Sequence, residues 1–167
     1  GATNCLNFGN PERKAVMWQF SRAVEGIGTA CRALGIPITG GNVSLYNGAQ
    51  GGGIYPTPVI GGLGLLGDVT QHTTAGFKDA GLLVVLLGSW EVRGKTRDLS
   101  GSEYLELVHG TVAGRPRIAM DLEKAVQSTC RRAIRESVLS SAHDCSDGGL
   151  AVALAECCIA GAIGFRG

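Results

Sequence analysis

Two polar runs carry side chains suited to chemistry: Gly40-Gly41-Asn42-Val43-Ser44-Leu45-Tyr46-Asn47 and His143-Asp144-Cys145-Ser146-Asp147-Gly148-Gly149. In the first, paired glycines precede a short apolar segment. Glycine lets backbone N–H groups approach an anion with no Cβ in the way. Asn42 and Ser44 are two apart, so on an extended segment both side chains leave the same face. That face offers an amide oxygen and a hydroxyl, groups that hold a metal-bound phosphate or a phosphorylated sugar. Gly-Gly-Asn before a strand is more often a turn with positive-φ glycines than a ligand site, and both readings stand at this point.

The second run lies at a strand-to-helix junction. Asp147 reads as a helix cap, because a helix N-terminus presents unpaired N–H groups and partial positive charge. Asp144 stands too far ahead of the helix for that role. A carboxylate near a phosphate-binding turn is a magnesium ligand candidate, since magnesium takes hard oxygen donors. Cys145, beside Asp144 and His143, is the weaker candidate for a nucleophile. His72 and His109 have no metal-ligand spacing, and no Gly-x-Ser-x-Gly elbow supports a hydrolase triad. The stretch from Gly88 to Gly-Lys-Thr at 94–96 imitates a phosphate loop, but five residues separate its glycines where four are required. Asp98-Leu99-Ser100-Gly101 also delays the helix that such a loop needs at its end.

The elements that must position these groups follow from periodicity. Apolar residues at 16, 20, 23, 24, 27, 30, 31 and 34 predict a helix over 12–34, stopped by Gly35 and Pro37. Gly26 and Gly28 weaken that helix, so close packing is expected there. Strands are predicted at 36–39 and 43–46 around a Gly-Gly turn, with a flexible loop over 47–53. Strands are also predicted over 59–69 and over the fully apolar run 82–88. A helix carrying Tyr104, Leu105 and Val108 should start near 98–102 with Ser100 or Ser102 as cap. Another, capped by Asp121, should run to about 139, and a last one over 150–159. Alternating strands and helices indicate an α/β (α+β) protein, with a boundary in residues 70–79.

Composition excludes several classes. A net charge of +1 with 5% aromatic residues gives neither a basic stripe nor a stacking platform, so no nucleic-acid partner is expected. No apolar run approaches the roughly 20 residues of a membrane span. Six cysteines without CxxC pairs point to reduced thiols and a cytoplasmic protein, most of them serving as small core residues. The 27 glycines lack a collagen-like period and so read as tight turns and close backbone approaches. The ends, Gly-Ala-Thr and Gly-Phe-Arg-Gly, are expected to be cuts in a longer protein.

Taken in order, Thr3-Asn4-Cys5-Leu6-Asn7-Phe8-Gly9-Asn10-Pro11-Glu12, the Gly40–Asn47 run, Pro56-Thr57-Pro58-Val59-Ile60-Gly61 and Ala142-His143-Asp144-Cys145-Ser146-Asp147-Gly148-Gly149-Leu150 resemble the phosphoribosylformylglycinamidine synthase family. The likeness is to its small-type synthetase subunit and runs along essentially the whole chain. That family belongs to the aminoimidazole ribonucleotide (AIR) synthetase superfamily, built from duplicated halves. The resemblance implies the end of a sheet-forming N-terminal-type module over 1–72 and the start of an α/β C-terminal-type module over 73–167. It implies a part in converting formylglycinamide ribonucleotide, ATP and ammonia to formylglycinamidine ribonucleotide, ADP and phosphate, with Mg2+ as cofactor. Partners would be a glutaminase subunit and a small accessory subunit.

Carried over by position, Gly41 matches an ATP contact, Asn42 a magnesium ligand and Ser44 a substrate contact. Asn4 falls where many relatives carry an ATP-contacting Asp; it keeps an acceptor oxygen and loses the charge. Asp144 matches an acid of the nucleotide-site region and is the second metal-ligand candidate. The family's acid/base histidine and ATP-binding lysine lie in the half not represented, so no catalytic residue is assigned and the piece alone is expected to be inactive. A structural, non-catalytic nucleotide-binding scaffold is the alternative. Truncated sheet edges favour self-association as a homodimer.

Overall fold

The computed structural model describes residues 1–49, 52–88 and 99–167. The chain divides into two compact units, Gly1–Gly67 and Asp68–Gly167.

The first unit is a β-α-β crossover completed by a returning strand. Strand β1 (Ala2–Asn7) leads through helix α1 (Lys14–Leu34) to β2 (Ile38–Ser44), which pairs with β1 in parallel. A parallel pair needs such a long connection, and a helix is its usual form. Strand β5 (Thr57–Gly62) then adds antiparallel on the other side, giving the order β2-β1-β5 with β1 central. Between them, β3 (Gly48–Ala49) and β4 (Gly52–Gly53) form a two-residue ladder, where an unstructured loop was predicted.

Alternation along β1 buries Ala2 and Leu6, and Phe8 just beyond the strand is fully enclosed. Phe8 meets Phe20 of α1 edge to face, with ring centroids 5.2 Å apart. Such a pair contributes about 0.5–1.5 kcal/mol beyond its area burial. Helix α1 ends as its punctuation predicts. Gly35 has φ 66°, and its N–H bonds the Cys31 carbonyl. The close packing expected at Gly26 is absent, with nothing within 4 Å of where a Cβ would stand; at Gly28 the near neighbour is the helix's own Arg32.

Two strand predictions are corrected. Gly40-Gly41 does not turn the chain; both glycines lie inside β2, which runs unbroken from Ile38 to Ser44. The explanation is lateral: β1 supplies a continuous parallel partner from Thr3 to Asn7, and that ladder overrides local turn propensity. Of the segment 59–69, only the part to Gly62 is strand, because β1 ends as a partner at Ala2.

The second unit holds α2 (Glu103–His109), α3 (Met120–Arg135) and α4 (Gly149–Gly161). Ser102 caps α2, its hydroxyl accepting from the Leu105 N–H. Asp121 is not the cap of α3. Ala119 holds that position, and Asp121 lies in the first turn, where its charge complements the helix dipole. The apolar run 82–87 forms no strand, and all six of its residues are exposed. A strand buried on both faces needs neighbours on both sides, and none pairs with it among the described residues. A single parallel bridge joins Thr74 to Ser141, reinforced by the Thr73 hydroxyl donating to the Ser140 carbonyl at 2.7 Å.

Among the described residues of this unit, Ala153 and Cys157 of α4 are the buried apolar ones. Burial pushes the Cys157 thiol up from its ordinary range. All six cysteines are free, but only Cys157 is buried and Cys145 is exposed, so the small-core-residue reading holds for Cys157 alone.

Candidate functional site

In the first unit, β2 presents the predicted polar pair on one face. The Asn42 amide nitrogen donates to the Ser44 hydroxyl oxygen at 3.4 Å, so the two side chains lie on the same side. That bond uses the amide nitrogen and leaves the amide oxygen of this exposed side chain available as an acceptor. Ser44 is held from below. Its carbonyl accepts the Phe8 N–H at 3.0 Å and the Asn47 side-chain amide at 2.9 Å. The chain beyond is tied to the end of β1 by Tyr46 N–H to Gly9 carbonyl and Asn47 N–H to Phe8 carbonyl, both 3.1 Å. Tyr46 takes φ 60°, unusual for a side-chain-bearing residue, and its hydroxyl reaches Glu12 at 3.5 Å.

Asn4 and Gly41 are also neighbours. They face each other in the β1–β2 register. A Cβ at Gly41 would collide with the side chain and the carbonyl oxygen of Asn4. Packing therefore requires this glycine before any ligand is considered. Gly40 differs, since nothing stands within 4 Å of its Cβ position. Its backbone is open, on a strand whose outer edge is unpaired among the described residues.

Strand alternation places Asn4 in the row of Ala2 and Leu6, whereas Cys5 and Asn7 share the face of Asn42 and Ser44 through the pairs Cys5↔Asn42 and Asn7↔Ser44. Cys5 and Asn7 are polar neighbours that sequence reasoning missed. Their two-residue spacing was visible, but the register bringing them beside β2 was not.

The second run occupies the start of α4. The His143 ring bridges two elements: Nε2 lies 3.1 Å from a Glu156 carboxylate oxygen on α4, and Nδ1 lies 2.7 Å from the Asp144 carbonyl. The Ser146 hydroxyl donates to the Asp144 carboxylate at 2.7 Å. That bond first, then Asp144's own backbone amide and the neighbouring His143, holds the fully exposed Asp144 carboxyl below the usual carboxylate range. Asp147 does not cap the helix. Gly148 is the cap residue, with φ 75° and no side-chain cap bond, because the turn through Gly148 and Gly149 enters the helix one residue later. Glu156 went unsignalled in the sequence, being separated from His143 by the turn and two helical turns.

Among the described residues no group of three His, Cys, Asp or Glu side chains can hold a metal. An all-protein cage is therefore absent among them. Asn42 in the first unit and Asp144 in the second each carry a hard oxygen donor of the kind magnesium takes when phosphates and water supply most of its shell. The described helices include none long and apolar enough to cross a membrane.

Comparison with known proteins gives a consistent result. Residues 1–66 match the family model "AIR synthase related protein, N-terminal domain", and residues 79–166 match "AIR synthase related protein, C-terminal domain". The chain is similar to the protein named phosphoribosylformylglycinamidine synthase subunit PurL from Anaeromyxobacter sp. (strain Fw109-5), 60% identical over 159 residues, covering 94% of this chain and 20% of that protein. It is 53% identical over 169 residues to the subunit of the same name from Synechococcus sp. (strain JA-2-3B'a(2-13)), covering 97% of this chain and 21% of that protein. The corresponding Moorella thermoacetica subunit is 51% identical over 164 residues, covering 97% of this chain and 22% of that protein. The chain thus spans about a fifth of the length of these relatives. With both domain models matched in sequence order, the chain belongs to the AIR synthase related family.

Proposed function

We propose that this chain is part of the ATP-dependent C–N ligase that converts formylglycinamide ribonucleotide and ammonia to formylglycinamidine ribonucleotide in purine biosynthesis. The observation that carries the reading is the Asn42–Ser44 pair, bonded on one face beside the open Gly40 backbone. Sequence similarity to subunits named for that synthase supports it.

In this reading residues 1–72 belong to an N-terminal-type module and 73–167 to a C-terminal-type module. In the first unit Asn4 and Gly41 contact ATP, Ser44 contacts the ribotide and Asn42 is an oxygen donor toward magnesium; Asp144 is, separately, an oxygen donor of the second unit. Magnesium, when bound, neutralises phosphate charge. The chain's own residues bind and orient. Ser44 is anchored through its carbonyl, which accepts two hydrogen bonds, and its hydroxyl accepts from the Asn42 amide. The Ser146 bond lowers the Asp144 carboxyl below the usual carboxylate range. Ammonia arrives from glutamine through a partner glutaminase subunit, with a small accessory subunit completing a cytoplasmic complex. The isolated piece is inactive and pairs with itself through its open edges.

Ser44→Ala in the full-length synthetase tests this. The expected result is a fall in kcat/KM for the ribotide of about 10–100-fold, the loss of one positioned hydrogen bond, at unchanged Tm. A lowered Tm with turnover intact would replace the catalytic reading by a structural nucleotide scaffold.

A further inference from the structure

The face bearing Asn42 and Ser44 does not end at β2. On the central strand, Asn7 stands between Ser44 of β2 and Thr57 of β5, and Cys5 stands between Asn42 and Val59. Neighbouring strands are about 4.8 Å apart, so these side chains lie within the span of a single sugar or amide group.

Asn7 is oriented by what surrounds it. Its amide nitrogen donates to the Cys5 sulfur at 3.3 Å, and to the Cys5 and Thr57 carbonyl oxygens at 3.5 Å each. Carbonyl oxygens only accept, so the nitrogen must face them and the amide oxygen must face away. Among the described residues no hydrogen bond reaches that oxygen, and no side-chain oxygen or nitrogen is sealed in without a partner. It is therefore an open acceptor, held in place before any ligand arrives. Across the register stands Ser44 with its hydroxyl, and Asn42 follows two residues along the same face, so this face carries several acceptor-bearing side chains.

We infer that Asn7 is a ligand-binding residue: its amide oxygen accepts from a hydroxyl or amide N–H of the ribotide, which lies across β1 and covers the Cys5 thiol. This rests on the function proposed above and extends the ribotide contacts from β2 to β1. A nucleotide also carries ribose hydroxyls, so the inference commits to the ribotide and the test separates the two.

The experiment uses the full-length synthetase. Alkylation of Cys5 by iodoacetamide is followed by peptide mass spectrometry with formylglycinamide ribonucleotide, with Mg-ATP, or with neither. At about ten times its dissociation constant the ribotide should slow labelling roughly tenfold, and Mg-ATP alone should leave it unchanged. In parallel, Asn7→Ala should raise KM for the ribotide roughly tenfold, with KM for ATP unchanged. Unprotected Cys5 under saturating ribotide, protection by Mg-ATP alone, or an unaltered ribotide KM in a folded Asn7→Ala protein each overturns the inference. If Asn7→Ala does not fold, labelling of the wild-type protein decides. Ser44→Ala separates the two levels. If it is silent, the proposed function fails; if it impairs ribotide use while Cys5 stays unprotected, only this inference fails.

Discussion

At the residue scale, the informative contact is between Asn4 and Gly41. The glycine was read as leaving room for an anion, and the room is taken by a neighbouring side chain. Gly41→Ala should therefore destabilise the chain by about 2–3 kcal/mol in denaturant unfolding, the upper range for overpacking. Asn4→Ala should restore only part of it, because the Asn4 carbonyl oxygen also blocks the site. A Gly41→Ala chain of unchanged stability would refute the packing role. Asp144 offers a second check. Its carboxyl is held low chiefly by Ser146, so Ser146→Ala should move its titration upward toward the ordinary carboxylate value, read by NMR. The sign follows from linkage. A depressed native pKa stabilises above the unfolded value, and the contribution is lost as pH falls through the native one. The Ser146→Ala protein should accordingly show a weaker loss of stability on acidification over that window. The Asn42–Ser44 pairing was legible because strand alternation is a local rule. Asn7 was not, because its place beside Ser44 depends on a register between segments far apart in sequence.

At the element scale, helices were easier to read than strands, for a physical reason. The end of α1 is written in Gly35 and Pro37, and the start of α2 in Ser102. Gly35→Ala should lower stability by about 1 kcal/mol, since φ 66° disfavours a side chain there; an unchanged midpoint in urea would contradict this. Strands have no comparable local mark. The pattern of 82–87 is that of a strand covered on both faces, and the pattern is sound, but strand formation depends on partners rather than on the run itself. Conversely, Gly40-Gly41 reads as a break and is carried through by its neighbour β1. Helix caps failed where glycines displaced them, as at Gly148, or where the acid moved inside the first turn, as at Asp121.

At the scale of the whole molecule, much apolar surface is left uncovered. In the run 82–87, Leu83 is 92% exposed and Val85 68%. A contiguous apolar run of this kind marks a surface that takes a partner. The isolated chain should self-associate with rising concentration in sedimentation velocity, and Leu83→Glu should reduce that tendency; a monomer at all concentrations would count against it. The membership of this chain in its family was legible from motif order, whereas the uncovered surface was not, because burial depends on atoms beyond the segment. The central place of β1 also sets an order of events during synthesis. This strand leaves the ribosome before either of its flanking partners, and both emerge only after the whole of α1. Until they arrive its apolar row waits in water, and closure must join distant points before any contact rewards it. A nascent chain paused between α1 and β2 would therefore be more vulnerable to proteases than one paused just after β5.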